Sequence, residues 1–419
     1  MYKKLYFYLL CLPMVLGIVA CSSNDDVVTD KGDMVEDPIK NLSAAGLANC
    51  YIVKSPGLYK FKADNMFNQG PGLPVPTEIS PESAVLIWQT VPSSISSVEL
   101  VMEEGEPFIQ FEVVDSSGNA LLAALDEEGN IEWSWHIWMP EEEITSIKSS
   151  TGYDVMSMNL GALNSSPGDA ASYGMLYQWG RKDPFPASAT LTGTTSTVSA
   201  PMYDIDNNRV TISNSSWYNT NDNTLEYAIA HPTVCLSNYS QYSSNRDWLK
   251  ESQDNLWGNP NGDLKDSKNG FINSGRKTCY DPSPAGWRVA PADAFSNLTT
   301  TGGYAWTFDD FNVVDVNGDG VIDLSDYNYG WVFKVSAQQG LYFPAASRFD
   351  GSYAMLMGSM SGLWGSYWSN SPYSGIPGGA FCALSFQVKD QTGNEAISIS
   401  PAGGASRADA FSVRCIRDN

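Results

Sequence analysis

The stretch Ile131-Glu132-Trp133-Ser134-Trp135-His136-Ile137-Trp138 decides how the first third of the chain is read. Side chains alternate faces along an extended strand, so Trp133, Trp135 and Ile137 fall on one side and Ser134, His136 and Trp138 on the other. Glu128-Gly129-Asn130 in front and Pro140 behind bound the run at strand length. Working outward, residues 121–125, 108–114, 98–102 and 84–88 are runs of the same kind, punctuated by Ser117-Gly118-Asn119 and Glu104-Gly105. Short strands at regular spacing joined by glycine turns predict an antiparallel β-sandwich over residues 41–140. Pro140 followed by Glu141-Glu142-Glu143 marks its end.

Beyond about residue 145 the composition changes to Gly, Ser, Asn, Tyr and Trp, with few windows of helical period. Residues 223–230 and 292–298 read as short helices, the second announced by Pro291 and capped by Asp293 or a neighbour. Residues 188–201, almost all small, read as a mobile insertion. The whole is expected to be α+β and mostly β, with a loop-rich second domain over 145–419. Across the 419 residues, 24 Lys and Arg face 47 Asp and Glu, a formal charge of -23. That charge repels phosphate backbones and anionic headgroups, which excludes a nucleic-acid groove or docking on an acidic membrane face. Two His leave little room for His-rich metal sites or Ser-His-Asp chemistry.

The first residues are an address. Lys3 and Lys4 precede an apolar stretch over 5–20 that ends in Ile18-Val19-Ala20-Cys21, the pattern of a lipoprotein signal over 1–20 whose cleavage leaves Cys21 acylated. Residues 21–40 read as an acidic tether, so the membrane is met only through the lipid, at the outer membrane and facing outward. Cys50, Cys235, Cys279, Cys382 and Cys415 then remain, an odd number that leaves at least one thiol free or paired between chains.

Several phrases are more specific than composition. They are Asn49-Cys50-Tyr51-Ile52-Val53, the Trp133 to Trp138 strand, Asn159-Leu160-Gly161-Ala162 and Tyr177-Gln178-Trp179-Gly180-Arg181-Lys182-Asp183-Pro184-Phe185-Pro186. Asp281-Pro282, Pro284-Ala285-Gly286-Trp287-Arg288-Val289, Phe343-Pro344-Ala345, Tyr367-Trp368-Ser369-Asn370-Ser371 and the terminal Phe411-Ser412-Val413-Arg414-Cys415-Ile416-Arg417-Asp418 complete the set. Over nearly all of the mature chain these resemble the Fibrobacter succinogenes major paralogous domain family, in the Bacteroidetes lipoprotein form with a β-domain in front. The resemblance implies a C-type-lectin-like fold for 145–419, a small twisted sheet carrying long loops, distantly similar to formylglycine-generating enzymes. The acidic tether resembles the surface-export signal of such lipoproteins. One departure stands out: the family usually has Cys where Ser283 stands, and here the Cys lies four residues earlier. The resemblance implies that Cys279 still pairs with Cys415.

The clearest chemical motif is Asp315-Val316-Asn317-Gly318-Asp319-Gly320-Val321-Ile322-Asp323-Leu324-Ser325-Asp326. Asp315, Asn317, Asp319, Asp323 and Asp326 place side-chain oxygens at loop positions one, three, five, nine and twelve, Val321 offers its carbonyl at seven, and Gly320 allows the sharp turn at six. This predicts a structural calcium ion in a dockerin-like loop. Aromatic rings among Asn, Asp and Gln side chains suit sugar rings, and Trp217, Tyr218, Trp364 and Tyr373 are the candidates for ligand contact. Trp287 and Trp368 read as core, His136 as a packed strand residue and His231 as a turn residue. No phrase singles out a carboxylate pair, and none around Cys382 or Cys415 matches the redox site of the formylglycine-generating enzymes. The expectation is a non-enzymatic adhesion module for a glycan or surface protein, then a fimbria-like assembly subunit, and last a polysaccharide hydrolase.

Overall fold

The protein, as a computed structural model, is described over residues 38–418 apart from 71, 216–220, 239–245, 260–274, 374, 376–377, 391 and 402. Residues from Pro38 onward form one compact unit. Strand outweighs helix by 38% to 7%, so the chain is mostly β. No helix of the described residues is long and apolar enough to cross a membrane.

The five expected strands form as Ser83–Gln89, Ile95–Glu103, Glu106–Val113, Gly118–Leu125 and Ile131–Met139. Glu104 and Gly105 both take positive φ, 52° and 86°, the two-residue turn whose twist matches that of its strands, and it sets Glu103 opposite Glu106. The hairpins alternate between two sheets. Ile95–Glu103 and Glu106–Val113 join Gly57–Lys62 and Lys40–Asn41 in one, while Ser83–Gln89, Gly118–Leu125 and Ile131–Met139 lie adjacent in the other. Pairing departs from the all-antiparallel expectation twice. Cys50–Ile52 adds parallel to Ile131–Met139, and Lys40–Asn41 adds parallel to Gly57–Lys62. Both short strands enter at sheet edges, where no hairpin connection dictates direction.

Alternation places side chains as the sequence implies, with one addition. Trp133, Trp135 and Ile137 share a core with Tyr59, Phe61, Ile109 and Phe111 of the facing sheet. The opposite face is also covered, because Trp88, Leu121 and Trp138 pack with Met156, Met175, Trp287 and Phe411 from beyond residue 145. From Trp133 to Met139 every residue is therefore buried. A strand of this kind lies inside the molecule, and each large side chain contributes about 1.5–3 kcal/mol by leaving water. Met202–Tyr203 pairs with Ser83–Gln89, so the sheet of the first region continues into the second.

In the second region Trp364–Tyr373, Gly379–Lys389 and Glu395–Ser400 form the long antiparallel part of a nine-stranded sheet. One α-helix occurs among the described residues, Leu225–Ala230, with the Thr224 hydroxyl accepting from the Tyr227 amide. The expected helix over 292–298 reduces to the 3-10 turn Ser296–Leu298. Its cap position is Phe295, with no side-chain cap hydrogen bond, and the Asp293 carboxylate accepts from the Tyr153 hydroxyl at 3.0 Å. Residues 188–201 are tied down and not a loose insertion: Ala189 donates to the Val198 carbonyl and Ala200 to that of Ala187. Small residues permit this, because a Cβ on Gly193 would sit 1.7 Å from the Gly358 carbonyl oxygen.

Candidate ligand-binding surface and calcium loop

The phrases carrying the family resemblance build internal staples. Arg181 donates to the carbonyls of Ala228, His231 and Val234 at 3.2, 3.3 and 2.7 Å, closing the C-terminal end of the helix. The Lys182 ammonium lies 2.6 Å from both Asp183 Oδ1 and Ser134 Oγ, and the Asp183 carboxylate also accepts from that hydroxyl. A second staple joins Lys277 to Asp281 at 3.0 Å and to Ser283 Oγ at 2.8 Å, while the Val289 amide donates to Asp281 Oδ2. The Ser283 hydroxyl donates to Asp281 Oδ1. The serine at this position thus supplies a hydrogen bond to the staple. Burial pushes the Lys182 ammonium downward in pKa and Asp183 opposes it. A hydroxyl beside an amine is the arrangement of an activated nucleophile. Here Ser134 and Lys182 are buried and line none of the three cavities described below.

His136 is likewise closed in. Asn119 donates its amide to the Gly161 carbonyl at 2.9 Å, which turns its Oδ1 toward His136 Nε2 at 2.8 Å. The Nε2–H tautomer donates there, and Nδ1 accepts from the Tyr177 hydroxyl at 3.4 Å. Burial holds this imidazole neutral, with its pKa down at about 3. His231 ends the helix, its ring 4.1 Å from that of Tyr227.

The implied pairing of Cys279 with Cys415 is not formed. Both are buried free thiols. Cys279 packs in the core between the first two sheets, with Gln69 Nε2 3.5 Å from its sulfur, and Cys415 packs beside Trp287 and Cys50 in the other. Cys415 is fixed there by the strand Cys415–Arg417, where it faces Val289.

The 315–326 loop closes on its own amides. Asp315 accepts from Gly318 and Gly320 at 2.6 and 2.8 Å, Asn317 from Asp319, Asp319 from Val321 and Asp323 from Ser325. Asp326 is buried and accepts from Val316 at 2.8 Å and from Asp323 at 3.2 Å. Gly318 and Gly320 take φ of 74° and 85°, the left-handed positions that the tight turn needs. Among the described residues no Lys or Arg pairs with Asp315, Asp319, Asp323 or Asp326. No group of three or more His, Cys, Asp or Glu among them converges as a ready cage either. The donor set, hard oxygens with no counter-charge, fits calcium in kind, and the oxygens now turned to amides are those that would hold it.

Of the candidate aromatics, Trp217 and Tyr218 lie outside the described residues, as does Cys21. Trp287 and Trp368 are core, the latter stacked on Phe411 at 4.2 Å. Trp364 is half-buried beneath the Arg348 guanidinium at 4.6 Å, which Asp350 and Asp409 hold at 3.5 and 3.6 Å. Tyr373 is half-buried with its ring against Gly404, where a Cβ would come within 2.3 Å. Sequence reasoning missed the most exposed pair: Trp306 is 68% and Tyr304 48% accessible, with ring centroids 4.1 Å apart. The signal was the alternation Tyr304-Ala305-Trp306 about a small buried residue.

Among the cavities that open on the surface, three are described. One of about 320 Å³ is lined by Thr224, Glu226, Leu249 and Glu251, a neighbour of about 200 Å³ by Asn65, Trp133 and Tyr280, and a third of about 190 Å³ by Asn119, Tyr173 and Met175. Compared with protein-family models, curated proteins and solved structures, the chain matches none.

Proposed function

We propose that the protein is a surface lipoprotein, anchored by a lipid on Cys21, that binds a glycan or surface protein without chemically altering it. In this reading residues 41–140 are a β-sandwich and 145–419 a C-type-lectin-like domain, with calcium bound structurally by Asp315, Asn317, Asp319, Val321, Asp323 and Asp326. The observation that carries it is the contrast in placement. The nucleophile-like groups are locked in buried staples, whereas Trp306 and Tyr304 present bare aromatic surface to water. Exposed rings that serve no core are the usual furniture of a recognition surface. Signal and tether supply the address, and the charge of -23 turns away nucleic acid.

The test is an array of glycans, mucins and surface proteins probed with the protein lacking residues 1–21, in calcium and in chelator. Specific retention is expected. A blank array, together with oligomers built by strand exchange, would favour the fimbria-like assembly reading instead. A second reading has one foothold, because Glu226 and Glu251 are both exposed on the 320 Å³ cavity. Polysaccharide cleavage abolished by Glu226→Gln or Glu251→Gln would make the protein a hydrolase.

A further inference from the structure

The register of the large sheet assembles residues that are far apart in sequence. Trp364 pairs with Gln387, and Gln387 with Ser398. Ala305 exchanges both backbone hydrogen bonds with Ile399, at 2.9 and 3.0 Å, in an antiparallel bridge. Antiparallel pairing therefore sets Trp306 beside Ser398 and Tyr304 beside Ser400. Directly paired residues share a face, so Trp364, Gln387, Ser398 and Trp306 form one lateral row. Ser366, Ser385, Ser400 and Tyr304 form the next. The alternate residues Phe386, Ile399 and Ala305 belong to the core, which fixes both rows on the opposite face.

We infer that this face binds a neutral polysaccharide chain lying across the strands, with Trp306 and Tyr304 as the stacking platform. The inference deepens the binding reading above and rests on it. Neither row contains a carboxylate or an ammonium; Ser366 and Ser398 are buried, and the accessible polar groups are the half-buried Ser385 and Ser400 hydroxyls and the Gln387 amide, suited to sugar hydroxyls. An anionic polymer would meet no positive group in the rows and a strongly acidic protein around them. The rows cross three strand spacings, about 14 Å at 4.7–4.9 Å each, more than one sugar ring covers. Trp364 closes the inner end, fixed by Arg348 above its ring and by its Nε1–H donating to Ser385 Oγ at 3.4 Å. The rings stand at the ends of the rows, with the serines and Gln387 between or beside them. No row residue lines the three cavities described above.

The test uses the chain without residues 1–21, keeping the compact unit from Pro38 onward intact. Affinity electrophoresis in gels containing β-glucan, xylan, mannan or polygalacturonate compares wild type with Trp306→Ala, Tyr304→Ala, Gln387→Ala and, as an aromatic control off the rows, Tyr353→Ala. Retention by at least one neutral polymer is expected. It should fall at least tenfold in Trp306→Ala, fall in Tyr304→Ala and Gln387→Ala, and stay unchanged in Tyr353→Ala, with melting temperatures equal throughout. Retention that survives all three row substitutions would overturn the inference and leave the glycan-binding reading standing. Preference for polygalacturonate would overturn the neutral-ligand assignment. No retention on any polymer would overturn the inference, and if the array still yields a protein ligand whose binding Trp306→Ala abolishes, the same face would be a protein contact.

Discussion

At the scale of single residues the chemistry is that of buried groups held in one protonation state. His136 is neutral because burial depresses its pKa to about 3, whereas an unfolded chain would have it near 6.5. Protons then bind the unfolded state better, so this stability is present above pH 6.5 and is lost as pH falls toward 3, about 5 kcal/mol in all. Asp409 acts the other way. Desolvation raises it to about 6, so between pH 6 and about 4 the folded state gains protons and about 3 kcal/mol. The two offset one another across that window. Urea denaturation at stepped pH should show wild-type stability nearly level between pH 6 and 4 as far as these groups act, with Asp409→Asn declining there and His136→Gln rising. Parallel curves for all three would refute both assignments. Cys279 and Cys415, as free thiols, should both react with a thiol reagent in denaturant without reductant; protection of the pair would mean that the bridge forms after all.

At the scale of elements, the 315–326 loop makes the sharpest prediction. Calcium should raise the melting temperature, and Asp315→Ala combined with Asp319→Ala should remove that gain, because four carboxylates in one loop have no basic partner among the described residues. Identical melting curves in calcium and in chelator would sink the site. Elements were also where sequence was most legible. The strand over 131–138 and its glycine turns could be read directly, since alternation and positive-φ turns are local properties. The parallel edge strand Cys50–Ile52 was not, because its partner lies some eighty residues away. The second layer over Trp138 was hidden for the same reason. Trp306 stayed unseen because its three-residue alternation is too short to stand out and its strand pairing is a single bridge, Ala305 to Ile399, far along the chain. The helix expected over 292–298 shortens to Ser296–Leu298, whose cap position is Phe295 with no side-chain hydrogen bond, while the Asp293 carboxylate meets the long-range Tyr153 hydroxyl.

At the scale of the whole molecule, the Lys182–Asp183–Ser134 staple ties the Ile131–Met139 strand to the region beyond residue 145. Lys182→Met leaves the buried Asp183 carboxylate without its direct ion-pair partner, with only the Arg181 charge nearby, which should cost about 3–5 kcal/mol in urea denaturation. The double variant Lys182→Met, Asp183→Leu should recover part of that loss, and equal loss in both would show that the charge pair is not what matters. The same view explains why the phrases quoted from the sequence revealed no site: they are core and staples, and the rows proposed to meet a ligand are assembled by register. Of the tryptophans described, all are buried except half-buried Trp364 and exposed Trp306. That makes acrylamide quenching of tryptophan fluorescence, titrated with a retained neutral polysaccharide, the most direct measurement of the central claim. The quenchable fraction should fall as the glycan binds in wild type, and Trp306→Ala should start lower and show no fall. Quenching unchanged at saturating polysaccharide, or an equal fall in Trp306→Ala, would contradict it.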